Sequence, residues 1–265
     1  MKNSKRKHSG FVSIGLMLLF FYGPIIVLMV FSFNGSKSLT NWSGFSFQWY
    51  ERLFNSREAL SSIRTSVVIA LLATAISTFV GTITAIGLSK HKPIIRKTVL
   101  NVNNFPVLNP EIVTAISFML LFVAFGVDKG FTTMLIAHIT FCTPYVILTV
   151  LPKLRRLDPS LADAAMDLGA RPVQALTKVI LPQIMPAIIS GALIAFTMSF
   201  DDFVISYFVT GNGVSNISIL VYNMAKRIDP SINALSTIII VIITLTLIVI
   251  NVIPSLKKNK RGLSL

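Results

Sequence analysis

The sequence predicts an all-α integral membrane protein with six transmembrane helices and both termini in the cytoplasm, and three observations carry that prediction. First, 53% of its 265 residues are apolar and only 13% are charged, against about a quarter Asp, Glu, Lys and Arg in an ordinary soluble domain. Second, six apolar stretches reach the roughly 20 residues that a helix needs to cross a hydrocarbon core. Third, the basic residues gather in short clusters between those stretches, as they do in the cytoplasmic loops of membrane proteins. A soluble enzyme is excluded by the first observation. The formal net charge of +14 would point to nucleic acid on a soluble chain. Here no basic cluster joins a nucleic-acid motif, and the partner of that charge is a lipid bilayer.

The spans follow in order as residues 11–33, 65–89, 99–126, 131–151, 184–210 and 232–254, and no Lys or Arg interrupts any of them. The first is preceded by Lys2, Lys5, Arg6 and Lys7, as a secretory signal would be. Its apolar run is longer than a signal's and no small-residue cleavage site follows, so it reads as a retained span. With the N-terminus inside, seventeen of the 24 Lys and Arg fall on inner segments and seven on outer ones, which places both termini in the cytoplasm. The chain then divides into a basic N-terminus at 1–10, a six-span domain at 11–254 and a basic tail at 255–265. The outer segment 34–64, with Trp42, Trp49 and Tyr50, is expected at the membrane interface, as a place where an external protein is received.

Several features have plain readings. The single cysteine, Cys142, lies inside an apolar run, so no intrachain disulfide is possible and a small buried hydrophobe is expected. Gly81, Ala85 and the Ser and Thr residues of the second span suit close helix packing. The run GTITAIGLSK from Gly81 lacks the glycine spacing of a phosphate loop, and no ATP site is expected in this chain. Sequons at Asn34, Asn41 and Asn216 are of a frequency expected by chance. His138 reads as a hydrogen-bonded packing residue rather than a proton relay.

The stretch 152–183 between the fourth and fifth spans is too polar to cross and too long for a turn. Within it, DPSLADAAMDLGA reads as a short helix. Asp158 can cap it, Pro159 suits its first position, and Gly169 can take the left-handed conformation after its last turn. Leu161, Ala164, Ala165 and Leu168 share one face. A second helical piece begins near Pro172 and leads into the fifth span. Asp163-Ala164-Ala165, three residues, Gly169, nine residues, then Val179-Ile180-Leu181-Pro182 resembles the EAA signature of binding-protein-dependent ABC transporter permeases, with Asp for Glu and Val for Ile. The resemblance implies the type I ABC importer permease fold and a coupling helix that lodges in a cytoplasmic ATPase, a role falling on Asp163, Ala164, Ala165 and Gly169. ATP and Mg would belong to that ATPase, so the chain itself is expected to be no enzyme and to hold no cofactor or metal.

Three acids lie inside predicted spans: Glu111 in the third, Asp201 and Asp202 in the fifth. A carboxylate at a helix centre costs about 3 kcal/mol on insertion scales, so such residues face the bundle interior or a cavity. Glu111 follows Asn101, Asn103, Asn104, Pro106, Asn109 and Pro110, a stretch expected to break the helix and offer free carbonyls. Asp202 shares a small, polar stripe with Gly191, Ala195, Ser199 and Ser206, which makes it the better pathway candidate of the pair. Two roles are open for each acid: lining a path, or fixing helix packing through hydrogen bonds. Three carboxylates and no Lys or Arg within the spans suit a cationic solute, and Phe196, Phe200, Phe203, Tyr207 and Phe208 offer rings for cation–π attraction. The pathway candidates are therefore Glu111, Asp201, Asp202 and Tyr207.

LNPEIVTAISFMLLF, HITFCTPYVILTV, MSFDDFVISYFVTG and DPSINALST together resemble the shorter membrane subunit of spermidine/putrescine ABC importers. That resemblance implies a plasma-membrane (inner-membrane) heterodimer with a second permease, a cytoplasmic ABC ATPase dimer and an external polyamine-binding protein. An ABC permease for a different solute shares the same loop. A proton-coupled secondary transporter would use Glu111, Asp201, Asp202 and His138 as a relay, but would have no need of the loop.

Overall fold

A computed structural model describes residues 2–38, 40–211 and 213–261, with side chains omitted for residues 2–12, 247 and 249–261. The basic side chains near the two termini, from Lys2 to Lys7 and from Lys257 to Arg261, therefore lie outside the described residues. Every regular element described is helical, and the chain divides into two compact units, one of residues 1–60 and 221–265 and one of residues 61–220.

In the first unit, α1 (Lys2–Phe31) packs against α12 (Ser231–Arg261), and α12 also meets the short α2 (Gln48–Asn55). None of the most apolar window of α1 is buried inside the molecule. Leu16, Leu19 and Phe20 stand exposed, as residues solvated by lipid would. The segment after α1 is organised by Asn34, which is fully buried. Its amide donates to the carbonyls of Ser38 and Asn41 at 3.0 and 2.8 Å, its side-chain oxygen accepts from the Ser43 N–H at 2.9 Å, and its carbonyl accepts from Trp49 Nε1 at 2.7 Å. A buried side chain so engaged is no glycan acceptor. The helix α11 (Ile217–Lys226) ends with Ile228 at φ +53°, while the Asp229 N–H reaches back to the Met224 carbonyl at 3.0 Å. That is a left-handed helix stop, made by a β-branched residue for which it is strained. Ile228→Gly is expected to raise the stability of the detergent-solubilised chain by about 1 kcal/mol, read as a higher thermal unfolding midpoint.

The second unit contains α3 beyond residue 60 (α3 is Arg57–Lys90), α4 (Pro93–Leu108), α5 (Glu111–Ala124) and α6 (Phe131–Arg155). It continues with α7 (Ser160–Asp167), α8 (Pro172–Ala175), a π turn (Leu176–Ile180), α9 (Leu181–Asp201) and α10 (Val204–Val209). Its centre is Val146 of α6. A Cβ added at Gly81 would lie 2.8 Å from that side chain, and one at Gly191 would lie 3.4 Å from the Val146 Cα. Two glycines thus let α3 and α9 close on one buried valine, the small-residue packing expected where lipid supplies no hydrophobic drive between helices. Cys142 is buried beside it and its thiol donates to the Ala195 carbonyl at 3.4 Å.

Among the described residues, four helices are long and apolar enough to cross a membrane: Ser13–Phe31, Arg57–Lys90, Phe131–Arg155 and Pro172–Asp201. The pair α4 and α5, bent by 104°, makes a fifth if counted as one span, and the described side chains of α12 carry an apolar stretch over Ser231–Thr246. Two expected spans are therefore not single rods. The third breaks at Asn109–Pro110, where the proline holds Asn109 extended at φ −78°, ψ 148° because its ring clashes with a helical predecessor. The fifth stops at Asp201 and restarts at Val204, so Asp201 and Asp202 do not sit on one continuous helix. At its other end this span extends back to Pro172 as one rod. Pro182 has no N–H for the Lys178 carbonyl and its ring would crowd it. The π turn, in which the Leu181 N–H reaches the Leu176 carbonyl, widens the rod there and lets the helix pass through the proline.

Candidate functional site: the acid-bearing helix breaks and the elbow

Asp202 occupies the gap between α9 and α10, extended at φ −61°, ψ 125°. One carboxylate oxygen accepts from the Ser206 N–H and the Ser206 hydroxyl, both at 2.7 Å, and the other accepts from the Ile205 N–H at 3.2 Å. It thereby satisfies the first free N–H groups of α10, the task of an N-terminal cap. His138 of α6, with no exposed surface, stands 3.4 Å from the same oxygen through Nε2. Its Nε2 also lies 2.9 Å from Ser206 Oγ, and its Nδ1 lies 2.7 Å from Ser199 Oγ. Asn216 closes the group, donating to Ser206 Oγ at 2.8 Å and to the Asp202 carbonyl at 3.0 Å. The Ser206 hydroxyl has one proton, spent on Asp202, so it accepts from both Asn216 and His138. Hydrogen counting thus puts a proton on His138 Nε2. His138 is thus buried and hydrogen-bonded through both ring nitrogens.

The remaining pathway candidates are placed differently. Glu111 is exposed at the first position of α5, and Asp201 is exposed at the last of α9. Because α10 packs on α5, Glu111 lies within electrostatic range of both Asp201 and Asp202. Two helix breaks therefore bring all three acids together. Among the described residues no Lys or Arg stands in an ion pair with any of them. Tyr207 is 48% exposed on α10, its ring 5.4 Å from that of Phe203 and 5.8 Å from that of Phe208. Sequence reasoning missed Tyr145 of α6, which lies in range of Glu111. It read Asn216 only as a sequon, although an Asn between two helices is a frequent backbone-bonding residue.

The elbow is built as its residues dictate. Asp158 accepts from the Ser160 N–H at 2.9 Å and the Ser160 hydroxyl at 2.7 Å, and these donors hold its carboxyl below the usual carboxylate range. At the other end of α7, Gly169 has φ +88°. The Ala170 N–H bonds the Ala165 carbonyl at 3.1 Å and the Gly169 N–H bonds the Met166 carbonyl at 2.9 Å. The chain then turns sharply, and the Gln174 side chain accepts from the Arg171 N–H at 2.8 Å as α8 begins. Asp163 and Ala164 are exposed and Ala165 is half-buried, with Leu168 90% exposed and Val173 69% exposed beside them. The face Leu161–Ala164–Ala165–Leu168 is thus split. Its Ala165 side turns inward, while Ala164 and Leu168 are open to a partner.

Apolar helices of membrane-spanning length, broken at acid-bearing sites and joined by a capped elbow, suit a transport permease. The chain belongs to the family described as binding-protein-dependent transport system inner membrane component, whose model matches residues 77–256. Among its relatives, the spermidine/putrescine transport system permease protein PotC of Haemophilus influenzae is 39% identical over 241 residues, 91% of this chain and 93% of that one. The putrescine transport system permease protein PotI of Escherichia coli is 40% identical over 234 residues, 83% of this chain and 82% of that one. A bacterial ABC transporter that imports the acidic polysaccharide alginate contains a chain of the same fold, with a TM-score of 0.76 at 17% identity over 97% of both chains.

Proposed function

We propose that this chain is a membrane-spanning subunit of an ATP-driven importer of polyamines, carrying spermidine, putrescine or both. The observation that carries the reading is the gathering of Glu111, Asp201 and Asp202 at two helix breaks, with no Lys or Arg in an ion pair with any of them among the described residues. A concentration of one sign of charge between low-dielectric walls raises the local concentration of the opposite sign, and a polyamine is a chain of ammonium groups. The names of the curated relatives support the same substrate class. In this reading Glu111 and Asp201 attract the ammonium groups, Tyr207 offers them its ring face, and Asp202 holds α10 in place beside them. Broken helices near the middle of a membrane commonly line substrate cavities.

The spans number six when the α4–α5 pair and α12 each count as one, and the excess of inner Lys and Arg puts both termini in the cytoplasm. The elbow at 152–183 then faces the cytoplasm. There Ala164 and Leu168 meet one copy of an ATPase dimer, with Asp163 at the edge of the contact and Gly169 setting the angle. ATP and Mg belong to that dimer. A second permease completes the path, and an external binding protein delivers the solute.

The reading is tested by uptake of labelled spermidine and putrescine into vesicles holding the reconstituted complex, with and without ATP. ATP-dependent uptake is expected, and Glu111→Gln is expected to lower it at low substrate by roughly tenfold, the equivalent of about 1.4 kcal/mol of lost attraction. Uptake driven by a proton gradient without ATP would overturn the coupling. An active complex that carries no polyamine would overturn the substrate.

A further inference from the structure

Between the elbow and the ends of the membrane helices of the second unit lies a cleft of about 610 Å³. Ile86, Leu154, Leu176 and Ile180 give it an apolar lining, yet Lys90, Arg96 and Arg155 line it too, against one carboxylate, Asp158. That carboxylate is already engaged by Ser160. Among the described residues none of the three cations stands in an ion pair. Lys90 ends α3 and Arg155 ends α6, where a cation complements the helix dipole and needs no further explanation. Arg96 lies in the first turn of α4, where the dipole opposes it. It is therefore held against its local electrostatics, in a place where two other cations already repel it.

We propose that this cleft binds an anionic phospholipid, with its phosphate among Lys90, Arg96 and Arg155 and an acyl chain along the apolar lining. An anion there relieves the mutual repulsion of the three cations and reverses the sign of the field at Arg96. The apolar lining selects a lipid over a soluble phosphate, which would leave that surface wet. The location fits as well, because the basic ends of membrane helices sit at the level of the headgroups. A lipid so placed would lie directly under the elbow, between α7 and the helices that it adjoins.

The test uses the full chain purified in detergent, offered phosphatidylglycerol, phosphatidylcholine or glycerol phosphate, with bound molecules counted by native mass spectrometry. Phosphatidylglycerol is expected to be retained in preference to phosphatidylcholine. Each basic residue near an anionic lipid surface contributes a factor of about 5, so Arg96→Gln with Arg155→Gln is expected to weaken retention roughly 30-fold on the same scale. Lys97→Gln, a change of the same charge outside the cleft, is expected to leave it unaltered. Equal retention of the two lipids by the parent chain would overturn the proposal without any variant. So would an equal loss in the Lys97→Gln chain, which would mean diffuse surface charge. Glycerol phosphate competing as well as the lipid would make the cleft a site for a soluble anion and overturn the lipid assignment.

Discussion

Asp202→Ala is expected to destabilise the carrier by about 3–5 kcal/mol, the sum of several buried donors left unsatisfied at about 1–3 kcal/mol each, and to abolish its recovery as a folded protein. The reason is local. The carboxylate is the acceptor for two backbone N–H groups of α10 and for the Ser206 hydroxyl, and its side chain is 1% exposed. Removing it strands all of these donors, with the imidazole of His138, where no water can replace the missing oxygen. Asp202→Asn keeps the shape and one acceptor, so it is expected to cost less, about 1–3 kcal/mol, the penalty of one unsatisfied buried donor. Thermal unfolding in detergent distinguishes these cases, with uptake measured on whatever remains folded. A parent-like midpoint in Asp202→Ala together with lost uptake would make this acid a pathway residue and not the pin of the break. Asp201→Asn, on an exposed side chain one residue away, is expected to leave the midpoint within about 0.5 kcal/mol of the parent and to act on uptake alone. Adjacent acids of the same charge thus have opposite signatures, one in stability and one in transport.

The difference between those two acids marks where sequence reading ends. Apolar runs and the break at Asn109–Pro110 are legible because each depends on the chain's own neighbours: hydropathy over about 20 residues, and a ring that cannot follow a helical residue. The elbow is legible for the same reason, since Asp158, Pro159 and Gly169 each act within one helical turn. The break after Asp201 is different. No Gly or Pro marks it, and the run from Ile184 to Thr210 reads as a single apolar span. What interrupts it is the Asp202 side chain turning to cap α10, a competition between side chain and backbone for the same N–H groups. That turn is stable only because His138 and Asn216, 64 residues before and 14 after, supply the rest of the polar group. The stripe of Gly191, Ala195, Ser199, Asp202 and Ser206, which suggested Asp202 as a pathway residue, is buried, but a stripe does not say whether it is buried against a path or against another helix. Likewise the meeting of Glu111 with Asp201 and Asp202 depends on α10 lying on α5, a tertiary contact that no local pattern encodes.

On the proposed role of the elbow as the ATPase contact, Gly169→Val is expected to leave the complex assembled and stop its ATP-driven uptake. At φ +88° the residue lies in the left-handed region, where a side chain costs about 1–2 kcal/mol and a β-branched one is a true outlier. No atom lies within 4 Å of a Cβ built there, so nothing but the backbone resists the change. The chain relieves the strain by leaving the left-handed conformation. The stop of α7 then goes with it, because the Ala170 N–H no longer meets the Ala165 carbonyl. The angle between α7 and the rod that begins at Pro172 is set by that stop, and a lever with a loose joint transmits no push. Gly169→Asn separates this account from simple crowding at the partner's surface. Asn is larger than Val in polar reach yet tolerates the left-handed region, so it is expected to retain most of the uptake that Val removes. Equal loss in both variants would place the effect in contact with the ATPase instead of in the elbow's geometry. Equal retention in both would mean that the angle at Gly169 plays no part in coupling. The measurement is uptake per assembled complex, with co-purification of the ATPase as the measure of assembly. Only a loss confined to Val, with the ATPase still bound, assigns the work to the conformation of a single glycine.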